Sequence, residues 1–346
     1  MSEKMKFKNI TINLDKRRKP LNSADREKIS VKKLYPYCGA NNILDYVDEY
    51  LFDEEILCIA EDGGKWGKNE VCSYIMKEKC WVNNHAHVVK VKENVDIRYL
   101  KYWLNHANLD SYITGAIVRK LTQKQLNELE LVIPNKSEQV KIANKMDKIQ
   151  SIVEIKRKQF EKLDELIKSQ FVEMFENRNY EKLSGKELFS FSSGKFLEAS
   201  KRLENGVPVY GGNGVAWYTD EPLIDFNTIV IGRVGAYCGN VKLIKEPVWI
   251  TDNAIFIKQF KKDVYNIDFL YYMMELVDFS RFAQFSGQPK ITQKPLEEFN
   301  YVVPPIEEQI KFSNILKQID KQKFEIENSL KKMQELYESL MEKYFG

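Results

Sequence analysis

Residues 137–175 read SEQVKIANKMDKIQSIVEIKRKQFEKLDELIKSQFVEMF, and this stretch decides the architecture of the chain. Its apolar residues recur at alternating three- and four-residue steps, with Lys, Glu, Asp and Gln on the faces between them. A repeat close to 3.5 residues is typical of a coiled-coil helix. Pro134 precedes the stretch, Ser137 is the predicted N-cap, and Asn177 is the predicted end. At roughly 1.5 Å per residue the helix is about 58 Å long, which favours a role in spacing or joining other parts.

The chain repeats this helix together with the segment before it. A second such helix is predicted from Glu307 to Phe345, and an offset of 170 residues aligns the two helices. Further motifs align at this offset or close to it: Glu138-Gln139 with Glu308-Gln309, Leu121-Thr122-Gln123-Lys124 with Ile291-Thr292-Gln293-Lys294, Leu131-Val132-Ile133-Pro134 with Tyr301-Val302-Val303-Pro304, Trp81 with Trp249, and Gly39 with Gly211. Small changes of offset indicate loop insertions within a shared fold. The period is too long for a solenoid, so a domain duplication is predicted.

Each copy is predicted to be an α+β unit, because its short strands and helices follow one another without regular alternation. The clearest elements are the strand Ala86–Val91 and the helices Ile97–Asn105 and Ile267–Leu276. The fold class is therefore α+β, with two tandem, pseudo-symmetric units separated by two long helices that pack as an antiparallel coiled coil. The predicted domain ranges are 1–136 (first unit), 137–176 (first helix), 177–305 (second unit) and 306–346 (second helix).

Composition restricts the class of protein and its compartment. The chain has 346 residues, of which 43% are hydrophobic and 30% charged, and this fits globular units combined with long solvated helices. The net charge of +3 does not by itself indicate nucleic acid. Five cysteines without paired spacing fit a reducing cytoplasm. Without a signal-peptide core or a membrane-length apolar run, we expect a soluble cytoplasmic protein that does not associate with a membrane.

No catalytic residue is predicted. The chain lacks a P-loop, a dinucleotide-binding glycine pattern and the tetrapeptide of an amino-methyltransferase. Potential zinc ligands occur in the first copy, namely Cys72, Cys80, His85 and His87. The second copy has Val248, Asn253 and Ile255 opposite the last three, so the fold does not require a metal there and no metal site is predicted.

One basic cluster, Lys16-Arg17-Arg18-Lys19, lies within the polar segment 1–34. Two interpretations of it stay open. It is either a solvated loop or an arm that contacts phosphates.

The two copies differ most in two pairs of loops. Glycine-rich loops differ between Glu61–Trp66 and Arg233–Tyr237, and later loops differ between Ile117–Lys120 and Gly287–Lys290. Framework positions, by contrast, agree. Arg, Lys, Gln and Asn side chains are suited to base edges and phosphates. Different polar loops on a shared scaffold favour two distinct recognition surfaces, and the alternative is simple drift of loop sequences.

The order of these motifs resembles the specificity subunits of type I restriction–modification systems over nearly the whole chain. The resemblance is carried by the Leu-Thr-Gln and Ile-Thr-Gln segments, the strand ends before Pro134 and Pro304, the Glu-Gln helix starts, Tyr210-Gly211-Gly212-Asn213-Gly214, and Gly232-Arg233 with Gly235. Each motif alone is short. Their order, repeated with a long helix after each set, is specific.

The resemblance implies a DNA-recognition subunit without catalysis of its own. Each unit is expected to be a target recognition domain that reads one half of a bipartite, asymmetric site in double-stranded DNA, with the helices as the spacer. The expected partners are two copies of a methyltransferase subunit and an ATP-dependent restriction subunit. S-adenosylmethionine is expected on the methyltransferase, and no cofactor on this chain. The alternative is a coiled-coil scaffold whose two globular units bind protein partners.

Polar and aromatic residues of the divergent loops are the candidate DNA contacts. They are Lys65, Trp66, Lys68, Arg119 and Lys120 in the first unit, and Arg233, Tyr237, Gln284, Gln288, Lys290 and Thr292 in the second. The first unit departs from the pattern, because Glu61-Asp62 stands where the second has Arg233-Val234. An acidic pair repels phosphates, although it is able to accept a hydrogen bond from the amino group of cytosine.

Overall fold

A computed structural model of the chain describes residues 3–115, 117–176, 178–285 and 287–346. The chain forms two compact units. Unit 1 comprises Met1–Lys158 and Ile326–Gly346, and unit 2 comprises Gln159–Glu325. Each long helix is therefore divided between the units. Among the described residues, no helix is long and apolar enough to span a bilayer.

Unit 1 is built from three small sheets and flanking helices. Its strands are β1 (Glu3–Lys6), β2 (Thr11–Asn13), β3 (Tyr35–Cys38), β4 (Ile43–Val47), β5 (Ile56–Ala60), β6 (Ser73–Met76), β7 (Trp81–Val82), β8 (Ala86–Val91) and β9 (Glu130–Ile133). Its helices are α1 (Phe7–Ile10), α2 (Ser23–Lys28), α3 (Ile97–His106), α4 (Gln123–Glu128) and the first part of α5 (Lys136–Phe171). The strand orders are β2-β8-β5-β6, β4-β3-β7 and β1-β9.

Unit 2 repeats this architecture. Its strands are β10 (Glu181–Ser184), β11 (Phe189–Ser193), β12 (Val207–Gly211), β13 (Gly214–Thr219), β14 (Thr228–Gly232), β15 (Val241–Ile244), β16 (Trp249–Ile250), β17 (Ala254–Phe260) and β18 (Asn300–Val303). Its helices are α6 (Gly185–Leu188), α7 (Ile267–Leu276), α8 (Gln293–Glu298) and the first part of α9 (Ile306–Phe345). The strand orders β11-β17-β14-β15, β13-β12-β16 and β10-β18 correspond one for one to those of unit 1. The predicted duplication and the α+β class are confirmed.

The polar N-terminal segment belongs to this fold, because residues 3–13 form β1, α1 and β2. Strand β1 pairs antiparallel with β9, placing Lys4 opposite Val132. Phe7 and Ile10, which follow β1, are fully buried. Strands of three or four residues are too short to show a hydrophobic period, so the sequence pattern misses them. In unit 2 the same structure occupies residues 181–193.

The two arginines of the basic cluster form ion pairs within unit 1. Arg17 pairs with Glu54 at 2.5 Å, and Arg18 pairs with Glu61 at 2.7 Å. The side chain of Arg18 is only 14% exposed. These contacts argue against the arm interpretation for Arg17 and Arg18, whereas Lys16 and Lys19 are exposed and form no ion pair with a described residue.

The apolar seam of each long helix packs into the cores of both units. In unit 1, Ile142 and Met146 of α5 and Met341 of α9 share a core with Leu100 of α3. In unit 2, the corresponding core contains Ile167 of α5, Phe312 and Leu316 of α9, and Phe269 of α7. Burial of such side chains contributes roughly 1.5–3 kcal/mol each. The helices therefore act as core elements of both units.

The helices pack antiparallel within each unit. In unit 1, Lys145 donates to the hydroxyl of Tyr344 (3.0 Å), and Gln150 donates to the hydroxyl of Tyr337 (3.3 Å). Residue numbers therefore rise along α5 as those of the contacted residues fall along α9. In unit 2, Lys323 of α9 pairs with Asp164 of α5 and lies over the ring of Phe160. The predicted antiparallel coiled coil is confirmed, and Lys323 at its seam is matched by a carboxylate.

A buried glutamine fixes the start of each long helix. The side-chain oxygen of Gln139 accepts from the backbone N–H of Asp96 (2.9 Å), and its amide nitrogen donates to the carbonyls of Asn94 and Pro134. Asn135, and not the predicted Ser137, caps α5, because its side chain accepts from the N–H of Glu138 (3.0 Å). The predicted end at Asn177 lies outside the described residues.

Unit 2 repeats the glutamine contacts atom for atom. Gln309 accepts from the N–H of Asn266 (2.9 Å) and donates to the carbonyls of Val264 (2.8 Å) and Pro304 (2.7 Å). Both glutamines are buried, with 1% and 0% exposure. Each amide thus joins the start of a long helix to the start of α3 or α7.

We expect Gln309→Ala to destabilise unit 2 by about 3 kcal/mol, since it leaves one buried N–H and two buried carbonyls without partners. Hydrogen exchange measures the effect in each unit separately: protection should fall among amides of unit 2, and Gln139→Ala should act in the same way on unit 1. The matched control is Gln159→Ala, because Gln159 is an exposed glutamine in the part of α5 that belongs to unit 2. Equal protection in Gln309→Ala and the control would contradict the assignment.

Candidate nucleic-acid interface

In unit 2 a glycine-rich loop follows the central strand β14 and closes on itself. The N–H of Gly232 donates to the carbonyl of Asn240, and the N–H of Gly239 donates back to the carbonyl of Gly232, both at 2.8 Å. A Cβ on Gly232 would lie 2.3 Å from the carbonyl oxygen of Tyr237 and 2.8 Å from that of Gly212. Only glycine fits such a close approach of two backbone segments. The loop and the turn after β12 are thereby held together.

A second loop joins this cluster through backbone hydrogen bonds. Gln284 and Lys290 exchange two of these bonds (2.9 and 3.2 Å) and close the loop between them. The N–H of Ile291 donates to the carbonyl of Arg233, and the N–H of Gly235 donates to the carbonyl of Pro289, both at 2.9 Å. The structure therefore brings together Arg233, Gln284 and Lys290, which the sequence selected from separate segments.

Unit 1 has the same loop cluster. Thr114 and Lys120 exchange two backbone hydrogen bonds (2.9 and 2.7 Å), and the N–H of Leu121 donates to the carbonyl of Glu61 (2.8 Å). The turn after β3 also reaches the glycine loop, because the side chain of Asn41 donates to the carbonyl of Gly63 (3.1 Å). Backbone hydrogen bonds join the two loops that diverge most in sequence, and in unit 1 the ion pair between Asp62 and Lys120 adds a side-chain contact. Their side chains can therefore change without breaking these bonds.

Most of the candidate contacts are accessible on these loops. Lys65, Arg119, Tyr237, Gln284, Gln288 and Lys290 are exposed, and Lys120, Arg233 and Thr292 are half-buried. Thr292 stands at the N-cap position of α8, as Thr122 does for α4. Lys68 is exposed too, but it pairs with Glu342 of α9 at 2.8 Å and so belongs to the helix side of the unit.

The prediction that Trp66 is an exposed contact is wrong. Its side chain is 3% exposed and belongs to the core of unit 1. Its indole N–H donates to the carbonyl of Ala60 (3.2 Å), which satisfies the one polar group of the ring. Glycines on both sides of Trp66 indicate a loop, and the sequence gives no sign that the loop folds back over its own tryptophan.

The acidic pair in unit 1 is already occupied by partners within the unit. Asp62 binds His85 (2.6 Å) with one carboxylate oxygen and Lys120 (3.1 Å) with the other. Burial acts to raise the pKa of Asp62, but the hydrogen bonds and charges of His85 and Lys120 outweigh it and lower that pKa. Glu61 accepts from Arg18. Both carboxylates thus have cationic partners within the unit, and a cytosine amino group would share them with these partners.

In unit 2, the cations of the loop cluster are not paired with carboxylates of the described residues. Lys290 forms no ion pair with any described residue. Arg233 donates to the carbonyl of Asp252 (3.2 Å), and its Nε has no hydrogen-bond partner among the described residues. Equivalent backbone positions thus present unpaired cations in unit 2 and internally neutralised groups in unit 1.

The potential zinc ligands do not converge. His87 is buried between the carboxylate of Asp15 (2.6 Å) and the carbonyl of Leu121 (2.7 Å). Burial acts to raise the pKa of Asp15, but hydrogen bonds from His87, Asn13 and the Val88 N–H, with the charge of His87, lower it. Across residues 3–115, 117–176, 178–285 and 287–346, no group of three or more His, Cys, Asp or Glu residues has the geometry of a metal site. His87 is a buried polar residue that fixes the segment leading into α4.

A second repeated feature is a groove between the long helices and the globular part of each unit. In unit 1 it measures about 700 Å³ and is lined by Tyr102 and Gln150 among others. In unit 2 it measures about 560 Å³ and is lined by Tyr272 and Asp320, at the same offset of 170 residues. Burial raises the pKa of Tyr272 to about 12, so its hydroxyl stays protonated. Each unit therefore offers the same groove, lined in part by different side chains.

The fold and the loop clusters define a duplicated α+β recognition module carried on two long helices. Residues 3–165 and 177–336 match the family model of the type I restriction modification DNA specificity domain. These ranges include nearly the whole chain and coincide with the two copies. The chain belongs to this family.

Individual relatives agree with that assignment. The chain is 36% identical over 135 residues to a protein of Haemophilus influenzae named as a type I restriction enzyme specificity subunit, and 31% identical over 139 residues to the EcoprrI specificity subunit of Escherichia coli. Each alignment covers 39% of this chain and 34% of the relative. The chain thus spans about a third of the length of these curated relatives.

A solved structure shares the fold over the full length. It is the crystal structure of a type I restriction–modification S subunit from M. genitalium, with a TM-score of 0.72 and 18% identity. The match covers 100% of this chain and 96% of that one. At this level of identity, the likeness establishes the shared architecture of units and helices.

We expect Gly232→Ala to disrupt the loop cluster of unit 2, because the added methyl group meets two backbone oxygens that cannot move independently. Hydrogen exchange of the Gly239 and Asn240 amides should accelerate at least tenfold. Gly212→Ala is the matched control in the same cluster, since its Cβ would meet no atom closer than 3.4 Å. If the two variants exchange alike, the close packing at Gly232 does not hold the loops.

Proposed function

We propose that this chain is a DNA specificity subunit that recognises a bipartite, asymmetric target and directs methyltransferase and restriction subunits to it. The observation that carries the proposal is the repeated loop cluster, in which the same backbone bonds present different side chains in the two units. Phosphate contacts position a protein on DNA, and base contacts specify the sequence. Two different surfaces on one scaffold suit two different half-sites.

The long helices support the bipartite character of the proposed target. Helix α5 has 36 residues and α9 has 40. At about 1.5 Å per residue they are roughly 54 and 60 Å long. Half-sites read by paired modules lie about 34–36 Å apart, one turn of DNA. Continuous helices of this length that serve both units as core elements are suited to fixing the gap between half-sites.

The proposed partners supply the chemistry. The described residues of the loop clusters include cationic, amide and aromatic groups suited to DNA, and we assign the methyl transfer to the partner subunits. A methyltransferase subunit would bind S-adenosylmethionine and methylate adenine, and a restriction subunit would join the assembly through it. The repeated groove supports two copies of the methyltransferase subunit, because each unit offers an equivalent surface beside the long helices.

Mapping of methylated adenines tests the proposal directly. We expect the chain, co-expressed with a methyltransferase subunit of its own system, to direct methylation to one bipartite motif with a fixed gap. The methyltransferase subunit expressed alone is the control and should leave that motif unmodified. Methylation at a single continuous motif would contradict a role for both units in reading DNA. A stable complex without any methylation would favour the scaffold alternative.

We expect Lys290→Ala to weaken recognition of one half-site only, because an unpaired cation on the reading loop is free to contact a phosphate. The dependence of log K on log salt concentration should fall by about one ion. Binding of the complex to duplexes with either half-site altered measures the effect.

The matched control is Lys120→Ala at the equivalent position of unit 1. Lys120 is already paired with Asp62, so its removal should change the salt dependence much less. Equal slopes for the two variants, or an equal loss at both half-sites, would refute the difference between the units.

A further inference from the structure

The loop between Thr114 and Lys120 in unit 1 exposes its aliphatic side chains. Ile117 is 98% exposed and Val118 is 56% exposed. The backbone bridge that closes the loop holds it in the cluster described above. Exposed aliphatic groups gain free energy when they are removed from water. Their exposure therefore points to a contact made with another molecule.

The charged side chains at the base of this loop are bound within the unit. Arg119 pairs with Asp110 at 2.5 Å, and Lys120 pairs with Asp62 at 3.1 Å. A contact from either residue to guanine would compete with these ion pairs. The groups that this loop offers freely to a partner are thus the apolar ones.

Unit 2 shows the same feature on the equivalent loop. Phe285, next to the bridge residue Gln284, is 77% exposed. Single exposed apolar residues are common on protein surfaces. Here, bulky apolar residues are exposed on the equivalent closed loop of both copies, although at different positions. Chance explains this repetition less well than it explains a single exposed residue. The repetition indicates that the loop contacts a surface with apolar features.

The bases of DNA present one apolar group in the major groove, the C5 methyl of thymine. We propose that Ile117 and Val118 contact thymine methyl groups in the half-site bound by unit 1. This inference rests on the proposed function, which places the loop cluster against DNA. The paired cations beside the loop remain close enough to keep the local surface compatible with phosphates, while the aliphatic side chains discriminate bases.

Replacement of thymine by deoxyuridine removes only that methyl group and tests the contact. The full chain, in complex with its methyltransferase subunit, is assayed on duplexes that carry deoxyuridine in one half-site at a time. The half-site weakened by Lys290→Ala belongs to unit 2, which assigns the other half-site to unit 1. We expect binding to weaken about fourfold per contacted methyl group in the half-site of unit 1, the factor that corresponds to burial of one methylene-sized group.

The variant Ile117→Ala/Val118→Ala should bind the thymine duplex more weakly and lose its sensitivity to deoxyuridine. Both positions are exposed, so the variant should unfold at the same temperature as the wild type. Val31→Ala is the matched control, because Val31 is 79% exposed in the same unit but lies outside the loop cluster. It should keep the full response to deoxyuridine.

The outcomes separate this inference from the proposed function. A methylated bipartite motif whose unit 1 half-site lacks thymine, or responds to deoxyuridine equally in the wild type and the double variant, overturns the thymine contact and leaves the proposed function standing. Absence of sequence-directed methylation overturns both. Loss of the deoxyuridine response in the double variant alone supports the contact.

Discussion

The buried glutamine amide at the start of each long helix is the constraint on which the other features depend. An amide is the one neutral side-chain group that accepts a hydrogen bond at its oxygen and donates two from its nitrogen. Gln139 and Gln309 use this full capacity on one backbone N–H and two carbonyls in their own units. A carboxylate would repel the carbonyls, and an aliphatic side chain would leave all three groups unpaired in the core. The amide thereby fixes the direction in which the helix leaves the unit.

A helix fixed in this way becomes part of the unit's core rather than an attachment to it. Met146 of α5 packs with α3 in unit 1, and Phe312 of α9 packs with α7 in unit 2. Close packing transmits displacement, because a core has few voids to absorb it. The loop clusters sit on the sheets of the same cores. Buried contacts therefore set the position of each loop cluster relative to the start of the long helix in its unit. The side chains on the loops remain free to differ.

Repetition and periodicity made much of this predictable. The 3.5-residue pattern predicted both long helices. The 170-residue offset predicted that Lys120 and Lys290 occupy equivalent positions in equivalent loops. What could not be predicted depends on contacts between distant segments. Short strands such as β1 acquire their structure from β9, more than a hundred residues away. Trp66 reads as a loop residue because its partner, the carbonyl of Ala60, is a backbone group without a sequence signature.

Contacts between distant segments also explain why the charge of the acidic pair in unit 1 was misjudged from the sequence. In the sequence, Glu61 and Asp62 stand where a DNA-facing loop should be cationic, and the charge conflicts with the function. The conflict disappears in the structure, because Arg18, His85 and Lys120 meet these carboxylates from three separate segments. Neutralisation removes the repulsion of phosphates, but it also removes the cations from direct contact with DNA. The duplicated scaffold thus has two electrostatic arrangements at equivalent backbone positions: Lys290 of unit 2 forms no ion pair with a described residue, whereas Lys120 of unit 1 is paired with Asp62. The two surfaces therefore differ in the kind of interaction they offer, and not only in side-chain identity, which supports the proposed recognition of two unlike half-sites by one chain.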